Sequence, residues 1–151
     1  MIYLVYYDTE TTGVDINRAD VIQLGALLQT YDEGTRERDQ PKVLMNTLCR
    51  PSRPIPAEAS EVHGITDEDV AWSPPQKFTL QQFALTLRHL SVQAPVVLVG
   101  HNIDRYDTPL IHRVFPDAGF NQYPSIDTYT IAIRELPAMP HKLEELYSWY
   151  V

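Results

Sequence analysis

Residues Ile2 to Tyr7 are all β-branched, aromatic or leucine, and they run into Asp8 and Glu10 before Thr11-Thr12-Gly13, which predicts a buried strand entering a turn. Val21 to Leu28 predicts a second strand. Thr30 to Pro41 is polar enough for a hairpin-like connection, and alternating Val43, Met45, Thr47 and Cys49 mark a third strand. Pro51, Pro54 and Pro56 then exclude a regular element, and Ala57 to Val70 reads as two short helical turns joined at Gly64, with Thr66 capping the second and Asp69 three residues on. Leu80, Phe83, Ala84, Leu87 and Leu90 recur at helical spacing, the mark of an amphipathic helix packed on a sheet. Val96 to Val99, ending at Gly100, is a continuous apolar run that suits a strand buried on both faces.

Asp104 to Phe115 predicts a further helix, with Leu110, Ile111, Val114 and Phe115 facing inward and Pro109 within its first turn or two. Ser125 to Thr128 predicts a short strand end, with Asp127 capping a helix over Thr128 to Leu136. Leu143, Leu146, Tyr147 and Tyr150 place the chain's end inside an amphipathic helix. Three early strands form a meander, and alternating helix and strand follow, so the expected fold class is α/β with a mixed central sheet.

Composition narrows the function classes. A chain of 151 residues that is 44% hydrophobic suits one domain over 1–151. The formal charge of −8 argues against a broad basic surface for duplex DNA, though not against a grip on one strand end. Most of the acid lies before Pro75. Cys49 is the only cysteine, so no intrachain disulfide and no cysteine-based zinc site forms, and a cytosolic or nuclear setting is expected rather than secretion. The apolar start is too short for a membrane span or a signal core, so no membrane partner is expected.

Asp8 and Glu10 stand two apart at a strand end, which puts both carboxylates on one face with Cα atoms ~7 Å apart. Two carboxylates so placed can share a pair of divalent cations held ~3.5–4 Å apart, the arrangement that displaces a phosphodiester in line. Hard oxygen ligands imply Mg²⁺ or Mn²⁺. Asp107 follows the buried strand on the helical face of Ile111 and Val114, near the carboxyl end where open α/β sheets place their sites. It points inward, where a carboxylate near two others is disfavoured unless cations neutralise it. Asn102 and Asp104 read first as helix caps.

Asp8-Thr9-Glu10-Thr11-Thr12-Gly13, then Ala59-Ser60-Glu61-Val62-His63-Gly64-Ile65-Thr66, then His101-Asn102 through Asp107 and Pro109-Leu110, resemble the DnaQ-like DEDD exonucleases in order and spacing. The spacing from Asn102 to Tyr106-Asp107, with the string Asp104-Arg105-Tyr106-Asp107, is most similar to the three-prime repair exonuclease branch. The resemblance implies a ribonuclease H-like three-layer fold and a 3′-to-5′ exonuclease that releases nucleoside monophosphates from DNA with two Mg²⁺ or Mn²⁺. It implies Asp8, Glu10 and Asp107 as metal-binding and catalytic acids. Thr11, Thr12 and Gly13 would seat the terminal nucleotide, Ile65 would lie near an apolar wedge on the last bases, and Asn102, Arg105 and Tyr106 would stand close to the substrate.

The family keeps a fourth acid, preceded five residues earlier by a histidine base, on one further helix. This sequence stops at Val151 without it, and none of its five histidines fits that place. The domain is therefore expected to be incomplete at its C-terminal side. A fragment, a short form completed by a homodimer mate or another partner chain, and a module that binds 3′ ends or a protein without cutting all remain open. An RNA-trimming relative remains a further reading, and single-stranded DNA ends are the favoured partner. Any homodimer would pair through the strand Val43 to Cys49.

Overall fold

β1 (Ile2–Thr11) carries the apolar run straight through Asp8 and Glu10, because Val5, Tyr7 and Thr9 keep one face buried to its end. The expected strand therefore runs four residues further. β2 (Val21–Tyr31) pairs antiparallel with β1, setting Asp8 opposite Gly25 and Glu10 opposite Gln23, with a register shift between Glu10 and Thr11 where the chain leaves the sheet. β3 (Lys42–Leu48) closes the meander antiparallel to β2 and forms one edge of the sheet. The computed structural model describes residues 1–150, with side chains as far as Ser148.

α1 (Ala57–His63) ends on Gly64 in the left-handed region at φ 75°, and α2 (Asp67–Val70) starts on a reciprocal cap between Thr66 and Asp69, as the spacing predicts. α3 (Gln76–Gln93) buries the whole expected stripe of Leu80, Phe83, Ala84, Leu87 and Leu90. β4 (Val96–Gly100) then enters parallel to β1. α4 (Asp107–Val114), β5 (Ser125–Asp127) parallel to β4, α5 (Thr128–Glu135) and α6 (Leu143–Tyr150) complete the chain. The sheet order is β3-β2-β1-β4-β5, a mixed α/β sheet. No helix of the described residues is long and apolar enough to cross a membrane.

One face of the sheet packs on α3 and α4. Tyr7, Phe83 and Phe120 meet there with ring centroids 5.3–6.0 Å apart, in tilted and edge-on geometry. A smaller cluster of Ile22, Ile55, Ile65 and Val70 holds α1 and α2 against β2. The other face, with Tyr6, Leu27, Val43 and Asn46, lines an open hollow of about 950 Å³ bounded on its far side by Thr128, Tyr129 and residues 141–144.

Two expectations need correction. The helix expected from Asp104 starts only at Asp107, with Tyr106 at its N-cap, so neither Asn102 nor Asp104 caps it. The cause is tertiary: Asp127 accepts the backbone N–H groups of Asn102 at 2.8 Å and Asp104 at 3.1 Å, drawing those residues into a turn with Asn102 at φ 66°. The stripe of α6 is also divided, with Leu146 buried but Leu143 and Tyr147 exposed. The Tyr150 side chain lies outside the described residues.

Gly100 lets β4 approach β1. A Cβ there would lie 2.8 Å from the Tyr7 carbonyl oxygen and collide with the buried Ile103 side chain, whereas a Cβ on Gly25 would meet nothing within 4 Å. Gly100→Ala should therefore cost about 1–3 kcal/mol in urea denaturation. Gly25→Ala should be neutral or slightly stabilising in the same measurement.

Candidate active site at the carboxyl ends of β1 and β4

The parallel pairing of Tyr6 with Val99 puts the end of β1, carrying Asp8 and Glu10, beside the end of β4, carrying His101. This is the end of an α/β sheet where ligands bind. Asp107, the first residue of α4, is only 3% exposed. Its Oδ1 accepts from the Thr9 backbone N–H at 3.2 Å and from the Thr9 hydroxyl at 2.5 Å. The residue between the two strand acids thus anchors the third.

Burial, aided by the nearby Asp8, pushes the Asp107 carboxyl up to about 7 against the bonds from Thr9. Loss of surrounding water also raises Asp8, opposed by its bond to Thr9 and by the His101 ring. Glu10 is raised by burial first and by Asp8 second. None of the three makes an ion pair among the described residues. Asp8 is thus electrostatically coupled to both other acids. As they stand, no three acid, histidine or cysteine side chains among the described residues are gathered closely enough to grip one ion. The donor set nonetheless suits a hard divalent cation: it consists of carboxylate oxygens, all raised, that a dication would stabilise in the charged form.

The turn after Glu10 is tied from two sides. The Thr12 N–H donates to the Asp20 carbonyl at 2.9 Å, and the Asp20 N–H returns a bond to the Thr12 hydroxyl at 2.8 Å. The Tyr106 hydroxyl bonds the Gly13 carbonyl and the Thr11 hydroxyl, the latter at 2.6 Å. Tyr106 thus braces the turn from the α4 side, and burial raises its hydroxyl. Asp20 is itself buried; burial pushes its carboxyl up, but the bonds from Ser52 and Gln76 outweigh this and hold it low.

Of the other residues expected near substrate, Asn102 lines the hollow with Asp8 and His101. Arg105 is exposed. Asn102 spends its backbone N–H on Asp127. Ile65 is 9% exposed and packs inward with Ile22, Ile55 and Val70. Sequence reasoning assigned His101 no role of its own, yet its ring neighbours Asp8 and lines the same hollow. Its two nitrogens meet the Thr128 hydroxyl at 2.9 Å and the His141 carbonyl at 2.7 Å, and Tyr129 stacks edge-on between the two histidines. The signal was its position one residue past the end of a buried parallel strand.

A mixed sheet with acids at the joined ends of β1 and β4 defines a class, and comparison with known proteins supplies the family. The exonuclease family model RNase_T matches residues 5–150, so the chain belongs to that exonuclease family. It is 37% identical over 109 residues to an uncharacterized exonuclease of Escherichia phage 186, covering 72% of this chain and 47% of the relative. It is 35% identical over 124 residues to human three prime repair exonuclease 2, covering 71% of this chain and 50% of that protein. The chain thus spans about half the length of these relatives. The fold matches exonuclease X, solved in complex with 5′-overhanging duplex DNA, at a TM-score of 0.65 and 24% identity, over 97% of this chain and 72% of that one. Exonucleases of this kind generally use divalent metal ions.

Proposed function

We propose that this chain is a metal-dependent 3′-to-5′ exonuclease module that hydrolyses the terminal phosphodiester of a DNA strand and releases a nucleoside monophosphate. The observation that carries the reading is the set of three raised carboxyls, Asp8, Glu10 and Asp107, held at the adjoining ends of β1 and β4 without a cationic side chain paired to them. Asp8, Glu10 and Asp107 would hold Mg²⁺ or Mn²⁺. When bound, such ions supply an activated water and stabilise the leaving oxygen. Thr9 fixes Asp107 against β1, and the Thr11-Thr12-Gly13 turn, braced by Tyr106 and Asp20, offers a rigid backbone seat for the terminal nucleotide. Single strands fit better than duplex grooves, because a chain of net charge −8 lacks a broad basic surface.

The test is mononucleotide release from end-labelled single-stranded DNA with Mg²⁺ or Mn²⁺, with and without chelator, beside an Asp8→Ala control. The expected result is metal-dependent release from the 3′ end by the wild-type chain alone. Release from the 5′ end, release that survives chelation, or equal release by the control would overturn the assignment. A matched RNA strand run in parallel decides which sugar the site accepts.

A further inference from the structure

Trp72 is 98% exposed, so nearly all of a large ring that would usually be at least partly covered faces solvent. It lies just past α2 on the segment that leads into α3, and that segment is held beside Arg50: the Arg50 N–H donates to the Pro74 carbonyl at 2.8 Å and the Gln76 N–H to the Arg50 carbonyl at 3.2 Å. Arg50 and Arg53 line a small hollow with Val70 and Ala71, the residue before Trp72; Asp67 is the one acid there, and it accepts from the Ile55 N–H. Lys77 and Phe78, both exposed, follow on the first turn of α3.

This patch is continuous with the nucleotide seat. Ser52, between Arg50 and Arg53, donates its N–H and hydroxyl to the Asp20 carboxylate, and Asp20 is bonded through its backbone to Thr12. The Arg53 guanidinium reaches back to the Arg18 carbonyl on the loop between that turn and β2. Among the described residues, Arg18, Arg50, Arg53 and Lys77 have no carboxylate within ion-pair distance.

We infer that Trp72, with Arg50 and Arg53, forms a second contact for single-stranded DNA, taking the substrate strand several nucleotides upstream of its 3′ end. The inference rests on the exonuclease reading above. Guanidinium groups bond phosphates in a fork, and an open indole stacks on any base, so the site holds a strand without reading its sequence. Phe78 offers a second ring on the same segment.

The experiment measures binding of fluorescent oligothymidylates with a free 3′ end, in Ca²⁺ to limit cleavage, for a dinucleotide and a strand of about twelve nucleotides, a length within the span of a single-strand groove. The wild-type chain should bind the long strand more tightly than the dinucleotide, and strand binding should quench tryptophan fluorescence. Trp72→Ala should weaken the long strand by roughly 5- to 100-fold, in line with the loss of one stacked base, and leave the dinucleotide unchanged. Trp72→Phe should restore most of the loss. Arg53→Ala should lower the slope of log affinity against log salt by about 0.7, as expected for one phosphate contact on a single strand. Equal wild-type affinity for the two lengths, or a Trp72→Ala variant with unchanged long-strand affinity and an unchanged circular dichroism spectrum, would overturn the inference. Loss of dinucleotide binding in the wild-type chain would instead remove the exonuclease reading beneath it.

Discussion

Asp107→Asn will make the metal-free chain more stable at pH 8 and flatten its dependence on pH. The buried carboxyl ionises near pH 7 in the folded chain but near 3.8 once unfolded, so the folded state holds the extra proton between those values. Stability from this group is therefore complete below about pH 4 and is lost as pH rises through 7. The whole loss is on the order of 4 kcal/mol, and about half of it falls between pH 5.5 and pH 8. At roughly 2–4 °C per kcal/mol for a chain of this size, the wild-type melting temperature should drop by ~4–8 °C more than that of Asp107→Asn over that interval. An asparagine oxygen can still accept both bonds from Thr9, so the comparison isolates the charge. Mn²⁺ or Mg²⁺ at pH 8 should raise the wild-type midpoint and leave the variant unmoved, because a cation bound only by the folded chain stabilises it by mass action. An equal fall in both proteins would show that the charge of Asp107 does not control the site. In the nuclease assay, Asp107→Asn and Asp8→Asn should each slow release by about 10³-fold or more, the loss of several kcal/mol of metal-borne stabilisation.

Asp8, Glu10 and Asp107 were legible because their positions follow from short-range periodicity. The two-residue step along β1 sets the first pair on one face, and the helical step from Asp107 to Ile111 and Val114 turns the third acid inward. The capping of α2 and α5 was equally local, since Thr66 and Asp127 bond residues two or three positions away. What escaped depends on partners far apart in the chain. The start of α4 moved to Asp107 because Asp127, more than twenty residues on, captures the preceding turn. Ile65 was expected near substrate through its neighbours in sequence, which do not show that Ile22 and Ile55 from other segments enclose it. His101 gains its place beside Asp8 from strand pairing, and its orientation from Thr128 and the His141 carbonyl. Local pattern thus located the acids, and long-range hydrogen bonds determined how they are presented.

Asp127 concentrates that long-range control in one side chain, which makes it the most sensitive structural position at the site. It is 5% exposed, and its carboxylate accepts four backbone N–H groups: Asn102 at 2.8 Å, Asp104 at 3.1 Å, Tyr129 at 2.9 Å and Thr130 at 3.4 Å. Two of these cap α5 and two hold the turn that delivers Tyr106 and Asp107. Asp127→Ala removes a cap and leaves donors beneath the sheet end without acceptors, for a combined cost of about 3–5 kcal/mol in urea denaturation. Asp127→Asn keeps one acceptor oxygen and should cost about 1–2 kcal/mol. Because the Asp127 carboxylate bonds the N–H groups of Asn102 and Asp104 on either side of this turn, loss of those bonds should let the turn relax and carry Tyr106 away from Gly13. Asp127→Asn, still folded, should then raise the KM for the terminal dinucleotide more than it lowers kcat, since Thr9 still anchors Asp107 while the Tyr106 brace on the seat is loosened. A variant that lost kcat alone would place the effect on Asp107, and one indistinguishable from wild type in both constants and in stability would show that the turn holds without Asp127.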